Sequence, residues 1–199
     1  MITDSTHLVN QLLNQSNGVL LASTAIKSGL PRSQLSRFVE LGVLERTDWG
    51  VYIRAGELDD ELYSMQQRAK KIIYSHETAL FLHGLTDRTP FRYSITVPSS
   101  YKPSQLIKDK CKIYYIKQDL ADLGKVELKS NIGNKIAVYD IERTICDIIR
   151  NRSKLDKQIF TDALKKYAVR KDSDLYRLND YAQQFRVYKL LRQYMEVLL

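Results

Sequence analysis

The sequence predicts an α+β fold in two parts, and three observations carry that expectation. Between Leu20 and Arg54, two helical segments divided by Gly29 lead into two short alternating runs. Between Tyr93 and Tyr139 the apolar period shifts from about 3.6 residues to two. From Leu155 onward the spacing is helical to the end. The expected arrangement is a small helical N-terminal domain over residues 1–56, then a mixed α/β domain over 57–199. In the latter, helices cover a small sheet and the C-terminus is helical.

The N-terminal elements follow in order. Leu8, Val9, Leu12 and Leu13 sit at helical spacing and make a first, supporting helix. Ser23 or Thr24 is placed to cap a short second helix with Ala25 and Ile26 as its apolar members. Gly29 ends it, because glycine adopts the left-handed conformation at little steric cost. Pro31 presets the first turn of a third helix that runs to Leu41 and stops at Gly42. At about 100° per residue, Leu35, Phe38, Val39 and Leu41 fall on one side of it, while Arg32, Ser33, Ser36, Arg37 and Glu40 share a polar arc of roughly 140°. Residues 43–46 and 51–54, separated by Thr47-Asp48-Trp49-Gly50, predict a hairpin. Three helices and a hairpin, in that order, make up a winged helix-turn-helix DNA reader.

That geometry assigns roles. Arg32 and Arg37 can each offer two parallel donors to a guanine edge, and Ser33, Gln34 and Ser36 can reach adenine edges or phosphates in the major groove. Lys27 and Arg46 suit phosphate, and Thr24 belongs to the same contact set. Trp49 at the hairpin tip can lie against the sugar-phosphate backbone, although packing on its own domain is the commoner role of such a tryptophan. Three helices packed this way need not bind DNA at all. Residues 1–56 carry a net charge of only +1, so phosphate attraction cannot hold this module to DNA alone.

Composition sets the wider bounds. The chain is 44% hydrophobic and 27% charged, which excludes disorder and suits one or two ordinary cores. No run of about 18 apolar residues offers a membrane span, and the N-terminus, with Asp4 among polar residues, lacks the pattern of a signal peptide. Cytoplasm is the expected location. Cys111 and Cys146 form no CxxC pair and have no histidines at ligand spacing, so neither a disulfide framework nor zinc is expected. The formal net charge is +8, of which about +7 lies in residues 57–199. A polyanionic partner and solvated helix faces account for it equally well.

In the second part, the polar stretch Gly56 to Asp60 marks the boundary, and a helix follows with Leu62, Met65, Ala69, Ile72 and Ile73 on its inner side. Its segment Gln66 to Lys71 offers three cations to a DNA backbone or to solvent. Ser75 is expected to cap a helix over residues 76–84. Strands are expected at 93–97, 112–116, 125–128 and 135–139, with one short helix between 98 and 110. Asp140 caps a helix whose Ile141, Ile145, Ile148 and Ile149 form one apolar stripe, with Glu142, Arg143 and Asp147 beside it. Leu155, Ile159, Phe160, Ala163, Leu164 and Tyr167 make the face of the next helix. Leu175, Leu178, Tyr181, Phe185, Tyr188, Leu191, Met195 and Leu198 make the faces of one or two more.

Catalytic chemistry is not expected. His76 and His83 are seven apart, whereas a helical metal site wants i and i+4 spacing plus a third ligand, so structural histidines are the simpler reading. Asp140, Glu142 and Asp147 offer a magnesium set of nuclease type, yet a cap and salt-bridged helix residues explain them with fewer assumptions. Neither GxxxxGK[ST] nor GxGxxG occurs among the eight glycines, and serine-hydrolase signatures are absent. No enzyme, no cofactor and no metal is expected.

Three stretches together resemble a known family. They are Gly29-Leu30-Pro31-Arg32-Ser33-Gln34-Leu35 with Gly42-Val43-Leu44-Glu45-Arg46 and Gly50-Val51-Tyr52; Ser75-His76-Glu77-Thr78-Ala79-Leu80 with His83-Gly84-Leu85; and Val138-Tyr139-Asp140-Ile141-Glu142-Arg143-Thr144-Ile145-Cys146-Asp147. In these the chain is similar, near full length, to the AbiEi-type antitoxins of bacterial abortive-infection toxin-antitoxin systems. The resemblance implies an autorepressor that binds inverted repeats in its own promoter through the N-terminal domain. It also implies a C-terminal domain needed to counteract a nucleotidyltransferase toxin, without a stable complex between the two. The recognition helix departs from a strongly basic reading surface, because Arg32 and Arg37 are its only cations. A different class of function remains open beside this one: an RNA-binding or nucleic-acid-processing protein that uses the basic C-terminal domain.

Overall fold

The computed structural model describes residues 2–198, and their side chains from 4 to 196. The chain is α+β, with two sheets, and divides into two compact units: Met1–Lys70 with Lys129–Ile136, and Lys71–Leu128 with Ala137–Leu199.

In the first unit, α1 (Ile2–Gln15) buries Val9, Leu12 and Leu13. A two-residue strand follows, β1 (Leu20–Leu21), which the sequence did not predict; it pairs antiparallel with Val51 and Tyr52. Helix α2 (Ala22–Lys27) therefore starts directly from a strand. Its cap position is Leu21, without a side-chain bond, and Ser23 and Thr24 lie inside its first turn rather than capping it. The Ala22 amide instead donates to the Gly50 carbonyl at 2.9 Å. Ile26, expected inside, is 44% exposed. Gly29 turns the chain at φ +90°, which lets the Leu30 amide reach back to Ala25 at 2.9 Å.

Helix α3 (Arg32–Glu40) is entered from Pro31, whose carbonyl accepts from Gln34 and Leu35. Leu35 and Phe38 are buried and Val39 half-buried, as the spacing predicted. Leu41 is not: it sits at the C-cap, beyond the last full turn, and is 58% exposed. Strands β2 (Leu44–Asp48) and β3 (Val51–Arg54) form the hairpin, in a sheet of order β1-β3-β2. Its turn is tighter than expected. Asp48 pairs with Val51, so only Trp49 and Gly50 lie between the strands, and a register shift between Arg46 and Asp48 takes up Thr47. Leu30, Leu44 and Tyr52 complete the core with the inner faces of the three helices.

Helix α4 (Glu61–Arg68) is capped by Asp60, which accepts from the Tyr63 amide at 3.1 Å. The same buried carboxylate accepts from Ser130 Oγ and, at 2.8 Å, from Asn134 Nδ2, which fixes the 129–136 segment within this unit. The helix ends at Ala69, earlier than expected. Ile72 and Ile73 are buried but not helical: β-branched and needed for pairing, Ile73 opens β4 (Ile73–Tyr74).

The second unit is built on a sheet of order β6-β5-β4-β8-β7. Its other strands are β5 (Tyr93–Pro98), β6 (Cys111–Ile116), β7 (Lys125–Lys129) and β8 (Lys135–Tyr139), with α5 (His76–Leu82) and α6 (Gln105–Lys110) between them in sequence. β4 pairs antiparallel with β5 and parallel with β8, and β5 pairs parallel with β6. Helix α7 (Ile141–Arg150) starts at the Asp140 cap, which accepts from the Arg143 amide at 2.8 Å. Around it pack α5, α8 (Lys157–Ala168), α9 (Leu175–Gln184) and α10 (Tyr188–Leu198).

Enclosure by four helices buries every residue of α7 from Glu142 to Asp147 and on to Ile149, not one stripe of it. Arg143 is 0% exposed, held by Asp147 at 3.1 Å and by the carbonyls of Leu120 and Leu123 at 3.1 and 2.7 Å. Its guanidinium also lies over the rings of Tyr139 and Phe185, 4.1 and 3.9 Å from their centroids. On the outer helices, Leu178, Tyr181, Phe185, Leu191 and Met195 are buried as expected, while Leu175 and Tyr188 are 46% and 36% exposed. Both open their helices, where a residue has no preceding turn to lie against. Leu198 lies outside the described side chains. No helix of the described residues is long and apolar enough to cross a membrane.

Candidate nucleic-acid interface

The residues expected to touch DNA lie on three elements of the first unit. On α3, Arg32, Ser33, Ser36 and Arg37 are exposed on the side opposite buried Leu35 and Phe38, and Gln34 is half-buried. Thr24 and Lys27 are exposed on α2. Within the described residues none of the side chains of Lys27, Arg32, Ser33, Ser36 and Arg37 has a hydrogen bond or ion pair. An exposed guanidinium without an acidic partner keeps all its donors available, which is the state bidentate recognition requires.

The hairpin tip is built differently. Trp49 is 67% exposed, so it does not pack into the core of its own unit. The Arg46 guanidinium lies over its ring at 4.8 Å, and Arg46 Nε donates to the Asp48 carbonyl at 3.3 Å. Arg46 is thus partly engaged, although the residue as a whole is exposed. From α4, Arg68 donates to the Asp48 carboxylate at 3.0 Å and to the Trp49 carbonyl. Asp48 in turn accepts from the Trp49 amide at 2.7 Å. These bonds brace a two-residue turn that would otherwise rest on Gly50 at φ +69° alone. The sequence offered Arg68 to DNA or to solvent; its observed partners are the hairpin's own atoms.

The two histidines separate. His83 donates from Nε2 to the Tyr139 carbonyl at 2.7 Å and is half-buried, its pKa lowered by burial. His76 is fully buried in the other direction along α5 and stacks on Tyr114. Asp140, Glu142 and Asp147 do not converge as a metal set: Asp140 accepts from Tyr181, Glu142 from Tyr167 and the Asp174 amide, and Asp147 from Arg143. Cys111 and Cys146 are both buried and free, and burial pushes the Cys146 thiol up.

No family model matches this chain, and no curated protein sequence matches it. Among solved structures, the crystal structure of the RV2827C protein from Mycobacterium tuberculosis is similar, with a TM-score of 0.64 over 91% of this chain and 71% of that one. The two are 15% identical, so the likeness is one of fold.

Proposed function

We infer that the first unit is a winged helix-turn-helix reader of double-stranded DNA, with α3 as the recognition helix and the β2–β3 hairpin as its wing. The observation that carries this reading is the pair Arg32 and Arg37, exposed and unpartnered on the face of α3 opposite Leu35 and Phe38. The low charge of residues 1–56 gives the reading a corollary: one copy of the module binds weakly, and two copies on inverted repeats supply the missing phosphate contacts.

The expected test is a gel shift on the chain's own promoter. Arg32→Ala with Arg37→Ala removes operator retention while leaving the unfolding midpoint unchanged, since both side chains are exposed. Each lost bidentate base contact costs about 1–3 kcal/mol. Retention equal to the parent chain rules out α3 as the reading element.

For the whole chain, the AbiEi-type motifs at Ser75 to Leu85 and Val138 to Asp147 support the role of an antitoxin that represses its own operon and counteracts a nucleotidyltransferase toxin. Co-expression tests this. This reading predicts a nucleotidyltransferase gene in the same operon and that the full chain restores growth to cells expressing it; absence of such a gene, or failure to restore growth, removes the antitoxin role.

A further inference from the structure

A polar cleft of about 270 Å³ opens in the second unit, and its lining includes none of the residues assigned to DNA. Its walls come from elements far apart in sequence: His76 at the start of α5, Tyr114 and Tyr115 on β6, Asp147 and Arg150 on α7, and Asn151 and Lys154 just beyond. Three cations line it, Arg143, Arg150 and Lys154, against the single carboxylate of Asp147. That carboxylate is already bound by Arg143 Nε at 3.1 Å. Arg150 and Lys154 are exposed and have no hydrogen bond or ion pair from their side chains within the described residues.

The inner wall is fixed. His76 lies against Tyr114 with ring centroids 3.4 Å apart and planes 8° from parallel. Its Nε2 faces Asn151 Nδ2 at 3.1 Å, and the amide nitrogen can only donate, so Nδ1 carries the proton and donates to Ser75 Oγ at 2.9 Å. Burial lowers the His76 pKa most, and the charges that act on it next, Arg143, Lys112, Arg150 and Lys154, are all cations. The ring that lines the cleft is therefore a neutral imidazole, and it adds no charge to the cations around it.

A second observation points the same way. Arg143 lines the cleft at 0% exposure, and its Nη2 has no hydrogen-bond partner, although Nε and Nη1 make three bonds between them. A guanidinium fixed and fully buried in this way adds positive charge beneath the cleft without touching what the cleft holds.

We propose that this cleft binds the phosphoryl group of a small phosphate-bearing ligand. Arg150 and Lys154 neutralise its charge at the mouth, the Arg143 guanidinium carries positive charge at the base, and half-exposed Tyr115 offers a ring face to any attached base. Inorganic phosphate and a 5′-mononucleotide share that chemistry and differ in what Tyr115 adds.

The test titrates the full chain with inorganic phosphate, and separately with the four 5′-mononucleotides, by calorimetry. Saturable binding is expected, weakened at least tenfold by Arg150→Ala with Lys154→Ala, and unaffected by Lys165→Ala with Lys171→Ala, an exposed cationic pair on the same unit outside the cleft. Unfolding midpoints of both variants should equal that of the parent chain. Mononucleotides binding more tightly than phosphate, with the excess lost in Tyr115→Ala, identifies a nucleotide site; equal affinity identifies a phosphate site. No saturable heat with any of the five ligands at millimolar concentration overturns the proposal. So does equal weakening by the two cationic pairs, which would make the attraction diffuse. Neither result bears on α3.

Discussion

The imidazole of His76 lies flat on the Tyr114 ring, with Ser75 bonded to Nδ1 and Asn151 at Nε2, so a fully buried histidine has both ring nitrogens satisfied in the neutral form only. It also sits at φ +47°, in the left-handed region that few non-glycine residues adopt. The packing that holds this backbone in place also holds the ring against Tyr114.

A pH dependence follows from that neutrality. Burial holds the His76 pKa well below 6.5 in the folded chain, and burial lowers that of His83 as well. Below about pH 6.5 the unfolded chain takes up protons that the folded chain refuses, so stability falls as pH drops from there, with His76, the more strongly lowered of the two, contributing more of the loss. Urea unfolding between pH 7.5 and 5.5 should show this loss. His76→Asn, which tolerates the left-handed backbone, should make the slope shallower. An unchanged slope would mean that His76 takes up its proton as readily in the folded chain as in the unfolded one.

Arg143 and Asp147 form a buried ion pair one turn apart, with side-chain exposures of 0% and 5%. Arg143→Met strands the carboxylate and should cost about 3–5 kcal/mol. Arg143→Met with Asp147→Leu removes both charges and should recover part of that loss; the carbonyls of Leu120 and Leu123 still lose their donor, so recovery is incomplete. Arg143→Lys keeps the charge but not the flat fork that lies over Tyr139 and Phe185, and should fall between the two. Denaturant midpoints rank the three variants, and a double variant less stable than the single one would contradict this account.

Gly124 and Gly133 separate backbone strain from crowding. Both have positive φ, +75° and +97°. A methyl group on Gly124 would stand 2.7 Å from Cβ of Arg143, an atom fixed by the helix backbone, whereas one on Gly133 meets nothing within 4 Å. Gly133→Ala should therefore cost only the left-handed conformation, about 1–2 kcal/mol. Gly124→Ala should cost about 1–3 kcal/mol more, because α7 or the turn must move. Equal thermal shifts for the two would show that the contact relaxes freely.

The parts legible in the sequence were those with local punctuation. Gly29, Pro31 and Gly42 bound α2 and α3 through their own backbone preferences, and the Asp140 cap and the runs at 93–97 and 135–139 needed no distant partner to be recognised. The polar arc of α3 was legible for the same reason. Strands β1 and β4 were not, since two residues carry no period and exist only through pairing with β3, β5 and β8. Arg143 and Asp147 read as any i, i+4 pair on a helix surface; enclosure by four helices is a tertiary fact. The cleft joins His76 to Asn151 across 75 residues, a distance over which sequence spacing says nothing.

Trp49 supplies the last prediction, because it is the sole tryptophan and stands 67% exposed beneath the Arg46 guanidinium. If the hairpin is a wing that meets the DNA backbone, duplex operator should shield Trp49 from acrylamide, and its emission should change with the same midpoint as gel retention. Arg46→Ala should weaken binding about equally on all sequences and lower the salt slope by about 1, the signature of one phosphate contact. Arg68→Ala should act indirectly: freed from the Asp48 and Trp49 anchors, the turn becomes more mobile, so tryptophan anisotropy falls even without DNA. Acrylamide quenching that is identical with and without operator, under conditions where Arg32 and Arg37 support retention, would remove the hairpin from the interface and leave α3 to read the groove alone.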